Sequence, residues 1–349
     1  MEFEIIKILF FSVLAFVFTF LWTPLLTDFL YKHKLGKRIR NSGSTPIFSG
    51  LHAHKEGTPT MGGVLIWGTT LLFAVLFYLI YLIFPNDFTS ALNFLSQKET
   101  LLPLGALVAS ALIGLFDDWL DVRAKGVFGG GGLKLRHRLL IYTFIAIVGA
   151  LWFYFKLDWS TIHIPLLGYF QISWWCIPVF ILVIVATSFS VNETDGLDGL
   201  AGGSLFLAFA SYGIISFVMG RYDLAVFCGV ILGALLAFLW FNIPPARFYM
   251  GDTGSMSLGV TLGVIALLTN NVLILPLIGF IFVLESASVL IQITSRKLRH
   301  KKVFLSAPIH HHFQAQGWPE SKVVMRFWLI SGVMAAIGLM IFFVDKTFK

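Results

Sequence analysis

Charge is the first thing this chain has little of. Of its 349 residues, 12% are Asp, Glu, Lys or Arg, about half the share of an ordinary soluble domain. So few charges cannot cover a soluble surface of this size, which excludes a soluble enzyme and a disordered chain. Cysteine is scarcer still. Cys176 and Cys228 are the only two, and both sit inside apolar runs, where they read as buried helix residues. No disulfide framework or thiolate metal site follows from them. Also missing are the Walker A, protein-kinase and G-x-S-x-G signatures. There is no repeat of a two-halves transporter. Nor is there the alternation of an outer-membrane barrel, in segments of about ten residues.

What remains is apolar. Hydrophobic residues make up 57% of the chain, with 36 Phe, 10 Trp and 9 Tyr, and mean hydropathy is +0.85. A helix needs roughly 20 mostly apolar residues to cross a bilayer. Ten runs are candidates: Ile5–Leu30, Met61–Phe84, Thr100–Phe116, Leu139–Phe155, Trp174–Val191, Ala201–Met219, Leu224–Phe241, the short Ser255–Thr269, Val272–Ile293 and Val324–Val344. They predict an all-α polytopic membrane protein with ten transmembrane helices, one membrane-embedded unit over residues 1–349. The first run lacks a small-residue cleavage site and reads as a retained span. Asp158–Ser173 reads as a small hairpin, and Gly129–Gly132 as a flexible piece of loop.

All but six of the 25 Lys and Arg residues fall in alternate loops. The six are Lys7, Lys98, Lys156, Arg221, Lys346 and Lys349. The positive-inside rule puts the basic loops in the cytoplasm and both termini outside. The net charge of +7 then reads as topology and attraction to anionic lipid, not nucleic-acid binding.

Topology does not call for acids in those same loops, yet nine are there: Glu56, Asp117, Asp118, Asp121, Glu193, Asp195, Asp198, Asp252 and Glu320. Carboxylates at membrane depth are costly unless they line a cavity, pair or bind a cation. Asp117 and Asp118 are adjacent, so on a helix they point about 100° apart and serve different contacts. Asn192–Gly203 packs three acids, an amide and four glycines into twelve residues without a Lys or Arg, which suits Mg²⁺ or sugar hydroxyls. Asn242–Ser255 ends in Gly251-Asp252-Thr253-Gly254-Ser255, a turn into a helix that Asp252 or Thr253 is placed to cap. His310, His311 and His312 are consecutive, and consecutive helix residues cannot share one zinc ion. A stacking or phosphate-donating role is expected of them instead. Lys55, Thr60, Lys125, Arg136 and Arg138 supply cations and a hydroxyl on the same face. Glu285, in mid-span, reads as a helix-pairing or cavity-lining residue. Together the clusters suit Mg²⁺-assisted phosphoryl transfer between a soluble diphosphate and a lipid phosphate, with Asp252 or Asp118 as metal ligand.

These motifs resemble the phospho-N-acetylmuramoyl-pentapeptide transferase family, within the polyprenyl-phosphate hexosamine-1-phosphate transferases, over essentially the whole chain. Asp117-Asp118, Asn192–Gly199 and Asn242–Ser255 look like the superfamily. Pro308–Phe313 with Gly317-Trp318-Pro319-Glu320 is similar to the muramoyl-pentapeptide branch. The resemblance implies that UDP-N-acetylmuramoyl-pentapeptide and undecaprenyl phosphate give lipid I and UMP, the first membrane step of peptidoglycan synthesis. It also implies a Mg²⁺ requirement, a homodimer and the bacterial inner membrane. By motif position Asp252 looks like the Mg²⁺ ligand, and Asp117 like the residue that activates the lipid phosphate, with Asp118 beside it. Asn192, Asp195, Asp198, Lys55, Thr60, Tyr249, Gly251 and Gln292 would line the nucleotide pocket. His310 and His311 would touch the sugar or phosphates, and Lys125 would help position phosphate. Asn242, His312 and Arg138 complete the candidate substrate contacts. Asp121 and Arg138 stand where the family usually has Lys. The first reverses a charge; the second changes donor geometry. Two other readings stay open here: transfer of another UDP-sugar such as UDP-GlcNAc, and transport of an anionic lipid.

Overall fold

The structure is a computed structural model that describes residues 1–36, 55, 57–97, 99–123, 133 and 135–348. Lys125 and the run Gly129–Gly132 lie outside the described residues.

The chain runs α1 (Glu2–Lys32), α2 (Val64–Ile83), a short α3 (Asp87–Leu92), α4 (Leu101–Arg123) and α5 (Leu135–Lys156). A hairpin follows, β1 (Thr161–Ile164) and β2 (Gly168–Gln171), where the sequence placed one. Then come α6 (Cys176–Thr194), α7 (Leu200–Val218), α8 (Tyr222–Asn242), α9 (Gly251–Leu268), a one-turn α10 (Leu275–Ile278), α11 (Phe280–Arg299), α12 (Ile309–Ala315) and α13 (Glu320–Thr347). Among the described residues, nine helices are long and apolar enough to cross a membrane. The chain is a multi-pass membrane protein.

The ninth expected span, Val272–Ile293, is not one straight helix. Val272–Ile278 and Phe280–Arg299 meet at an 82° bend. The break falls on Gly279, whose ψ of 32° leaves the helical range and whose N–H donates back to the Leu275 carbonyl at 2.7 Å. Beyond it, α11 is inside out. It buries Glu285, Ser286, Ser288, Gln292 and Ser295, and exposes Leu290, Ile291, Ile293 and Leu298. That is the arrangement expected where the surroundings are hydrocarbon and the interior is polar.

The shortest apolar run turns out to be the centre. α9 is 94% buried over its spanning window and is surrounded by protein. A helix that meets no lipid can carry hydroxyls, provided each finds an acceptor. Ser257 donates to the Thr253 carbonyl at 2.6 Å and Thr261 to the Ser257 carbonyl at 2.7 Å. These residues lower its hydropathy, which is why it reads weakly in sequence. It also starts at Gly251, four residues before the apolar run, which puts Asp252 in its first turn. α1 is the opposite case: 22% of its window is buried, and Leu9, Val13, Leu21 and Leu25 point outward. Cys176 and Cys228 are both buried and free.

At the end of the bundle away from the acidic loops, the hairpin is fastened to the last helix. His163 Nε2 lies 3.1 Å from Asp345 Oδ2, the Leu166 N–H donates to Asp345 Oδ1 at 2.6 Å, and the His163 N–H donates to Asn270 Oδ1 at 3.0 Å. Removing one partner of a buried polar contact costs about 1–3 kcal/mol. Asp345→Ala is therefore expected to lower the thermal midpoint and to speed proteolysis at the exposed Leu166-Leu167 turn. An unchanged cleavage rate would show that the clasp does not hold the hairpin.

Candidate active site

Four helices bring their polar ends to one cation. Arg138, in the first turns of α5, places Nε 2.8 Å from Asp117 Oδ2 and Nη2 2.7 Å from Asp252 Oδ2. Its Nη1 donates to Asn192 Oδ1 at 3.0 Å. Asn192, at the end of α6, donates through Nδ2 to Asp252 Oδ1 at 2.6 Å and to Ser255 Oγ at 2.9 Å. Asp117 is completed by the Leu133 N–H at 2.6 Å. The planar guanidinium thus spans three acceptors on α4, α6 and α9. A lysine, with one nitrogen, could not hold all three in this fork.

Asp117 and Asp118 do point apart. Asp118 turns to the N-terminus of α9, where its Oδ1 and Oδ2 accept the N–H groups of Asp252 and Thr253, each at 3.0 Å. Thr60 adds its hydroxyl at 3.2 Å. The sequence suggested Asp252 or Thr253 as the cap, but neither caps the helix by its own side chain. The cap comes from α4, 134 residues away. Two orphan amides and the positive helix end make that a favourable place for a carboxylate. Gly251 makes room for it. Its φ is +75°, and a Cβ there would stand 2.5 Å from Asp118 Oδ2 and 2.6 Å from Thr60 Oγ1. Asp118 therefore spends both oxygens on the fold, while Asp252 keeps access to solvent. Side-chain exposure is 15% for Asp252 against 0% for Asp117.

A second cluster joins three distant segments. Lys55 Nζ reaches Asp198 Oδ1 at 2.6 Å and Glu320 Oε1 at 2.5 Å. Glu320 Oε1 also accepts the Asp198 N–H at 2.7 Å, and Asp198 Oδ2 accepts the Ala246 N–H at 3.0 Å. Asn242 ties the same turn, accepting the Gly199 N–H at 3.0 Å and donating to the Phe248 carbonyl at 2.8 Å. Tyr249 lies beside it, with Lys55 Nζ 5.9 Å from its ring centre; burial pushes its phenol above the ordinary value. Asp195 sits half-buried where α6 ends. In sequence Glu320 stood among the acids of the basic loops and at the end of the Gly317–Glu320 motif, with nothing to link it to Lys55.

The three histidines face three ways. His310 and His311 are buried, with ring centres 4.0 Å apart. His311 Nδ1 pairs with Gln314 Oε1 at 2.9 Å. His312 turns outward and accepts the Leu305 N–H at 3.2 Å. Gln292 is fully engaged by the loop before α12, accepting the N–H groups of Val303 and Phe304 at 3.0 Å each and donating to the Phe304 carbonyl at 2.9 Å. It holds that loop. Burial, with the charge of Lys55, pushes His310 down to about 3. Burial likewise holds His311 well below its ordinary value, with His310 beside it. Both shifts favour the neutral imidazole, in which one ring nitrogen donates and the other accepts.

Two consequences are measurable. Asp118→Ala leaves two α9 amides unpaired, so about 2 kcal/mol or more of stability is expected to be lost. It should appear as a lower thermal midpoint even without any substrate. The second concerns pH. An unfolded imidazole takes a proton near 6.5, whereas folded His310 resists it down to about 3. Between those values the unfolded chain holds more protons, so stability is full above about pH 6.5 and is lost as pH falls toward 3. The thermal midpoint should drop between about pH 7.5 and pH 5, and drop less in His310→Gln.

Residues 55–66 match the phospho-N-acetylmuramoyl-pentapeptide-transferase signature 1, beginning at Lys55 and including Thr60. Residues 100–270, from α4 through α9, match the glycosyl transferase family 4 model. The chain is 39% identical over 352 residues to the phospho-N-acetylmuramoyl-pentapeptide-transferase of Chloroflexus aggregans, covering 96% of this chain and 89% of that protein. It is 38% identical over 334 residues to the one from Geobacillus sp. strain WCH70, covering 94% and 96%. To that of Bartonella quintana it is 41% identical over 305 residues, covering 82% and 80%. The stretches that carry the guanidinium centre and the lysine clamp are the ones these matches span, and the chain belongs to the phospho-N-acetylmuramoyl-pentapeptide-transferase family, as a membrane transferase of peptidoglycan synthesis.

Proposed function

We propose that this transferase moves phospho-N-acetylmuramoyl-pentapeptide from its UDP carrier to undecaprenyl phosphate, releasing UMP and forming lipid I. In a single displacement, an oxygen of the lipid phosphate bonds to the sugar-side phosphorus. The bond from that phosphorus to the bridging oxygen breaks, and UMP departs with that oxygen. Both reactants are anions, so the protein's task is to hold them together and steady the leaving charge.

The observation that carries this reading is the convergence of Asp117, Asp252 and Asn192 on one cation. All three offer hard oxygen atoms, the donor type Mg²⁺ prefers, and Mg²⁺ commonly takes only one or two carboxylates, with substrate phosphates and water completing its shell. Asp252, the more accessible acid, would hold the ion, with Asp117 beside it. Bound Mg²⁺ would neutralise charge on the diphosphate and on the leaving phosphate. Arg138 in the meantime keeps the two carboxylates from repelling each other and holds them in place. Asp117 positions the lipid phosphate. Lys55, Asp198, Asn242 and Tyr249 form the wall against which the nucleotide binds. We place this site at the cytoplasmic face of the inner membrane, with both termini outside and the protein a homodimer.

The test is UMP release from UDP-N-acetylmuramoyl-pentapeptide and undecaprenyl phosphate by the purified full-length protein. Release is expected with Mg²⁺ and is expected to stop in EDTA. Asp252→Ala should lower it by roughly 10³-fold or more, the scale of losing a metal's charge stabilisation, while the protein still folds, with a lower thermal midpoint because Arg138 and Asn192 lose a partner. Release from UDP-GlcNAc but not from the muramoyl-pentapeptide substrate would overturn the assignment.

A further inference from the structure

One buried acid has no part in the reading above. Glu285 sits on the inward side of α11, fully buried, and the imidazole it meets is equally buried. His310 Nδ1 is 2.9 Å from Glu285 Oε2, both side chains at 0% exposure. The backbone N–H of His310 points at the same oxygen, 3.5 Å away. Oε2 thus faces two N–H positions and acts as an acceptor whether or not the carboxyl carries a proton on Oε1. The ring contact is close but lacks the alignment of a full hydrogen bond. Contacts of this kind are often poorly aligned without substrate and tighten when it binds.

The opposite edge of the ring faces a ligand-side loop. Among the described residues His310 Nε2 has no hydrogen-bond partner. It lies against Gly196, between Asp195 and Asp198, so close that a Cβ on residue 196 would collide with Nε2. Residue 196 has no side chain, so this nitrogen lies directly behind the Gly196 turn.

We propose that Glu285 is a positioning residue. It holds the Nδ1–H tautomer of His310, so that Nε2 offers a lone pair to a hydroxyl or N–H of the nucleotide-sugar. A carboxylate behind an imidazole fixes tautomer and ring orientation in this way at many functional sites. His310 is then an acceptor that recognises a donor group, and phosphate, which carries only acceptors, is the wrong partner for it. The inference rests on the transferase reading for its substrate but not for the tautomer.

Two experiments test it. In the unliganded full-length protein, long-range ¹⁵N–¹H spectra of labelled histidine, with His310→Ala identifying the signal, should show the proton on Nδ1. A proton on Nε2 overturns the proposal whether or not any reaction is catalysed. In the UMP-release assay, Glu285→Leu should raise KM for the UDP-sugar by about 10- to 100-fold, leaving KM for undecaprenyl phosphate unmoved. Glu285→Gln, which keeps an acceptor oxygen, should recover most of that loss. In a His310→Ala background Glu285→Leu should cost nothing more. An equal cost in both backgrounds, or equal changes in both KM values, would mean that Glu285 only supports the fold. If Glu285→Leu does not fold, the tautomer measurement and Glu285→Gln still decide. Absence of UMP release by the unaltered protein would count against the transferase reading alone.

Discussion

A charge taken out of water must meet its opposite at close range, and this bundle is organised around one such meeting. Arg138 lies among Asp117, Asp252 and Asn192. Each contact joins α5 to a different helix, so the ion cluster is also the point where α4, α5, α6 and α9 are registered against one another. Buried ion pairs of this kind contribute little net stability as a set, but losing one partner leaves the others uncompensated. The geometry is thus strict even though its energy is modest. A site meant to receive charged reactants gains from that. Its carboxylates are already oriented, and no reorganisation is needed when the reactants arrive.

The acids of this end divide their labour by what surrounds them. Asp118 is one residue from Asp117 but belongs to a helix cap, its oxygens taken by the amides of Asp252 and Thr253. It determines where Asp252 stands. Asp198 is taken by Lys55 and a backbone N–H, and so shapes a turn. Asp252 is more open to solvent than Asp117 or Asp118. Similar side chains, placed a few ångströms apart, become scaffold or reactive group according to how many of their lone pairs the protein has already used.

Much of this was readable in the sequence. The spans, the hairpin at Asp158–Ser173 and the grouping of acids with basic loops all follow from hydropathy and charge, which are local properties. Three things were not, for identifiable reasons. The bend at Gly279 lies within the apolar stretch Val272–Leu284, and one glycine there carries no sign of an 82° turn. α9 reads as the weakest span because its hydroxyls are satisfied within the helix, a fact visible only once its neighbours shield it. The roles of Asp118, Gln292 and Glu320 depend on partners 134, 11 and 265 residues away. Motif position grouped Asp118 with the catalytic and metal-binding residues and Gln292 with the substrate contacts; in the fold Asp118 accepts two α9 amides and Gln292 accepts two N–H groups of the loop before α12.

The lysine clamp has a consequence for how the molecule comes into being. Lys55 precedes the second helix, Asp198 precedes the seventh, and Glu320 opens the last, separations of 143 and 265 residues from the lysine. Contacts this far apart in the chain close late. Helices emerge and insert in order, so Lys55 and Asp198 are in place well before Glu320 is made. A chain stopped short of Glu320 can hold most of its membrane core and still lack one of the two carboxylates that fix Lys55.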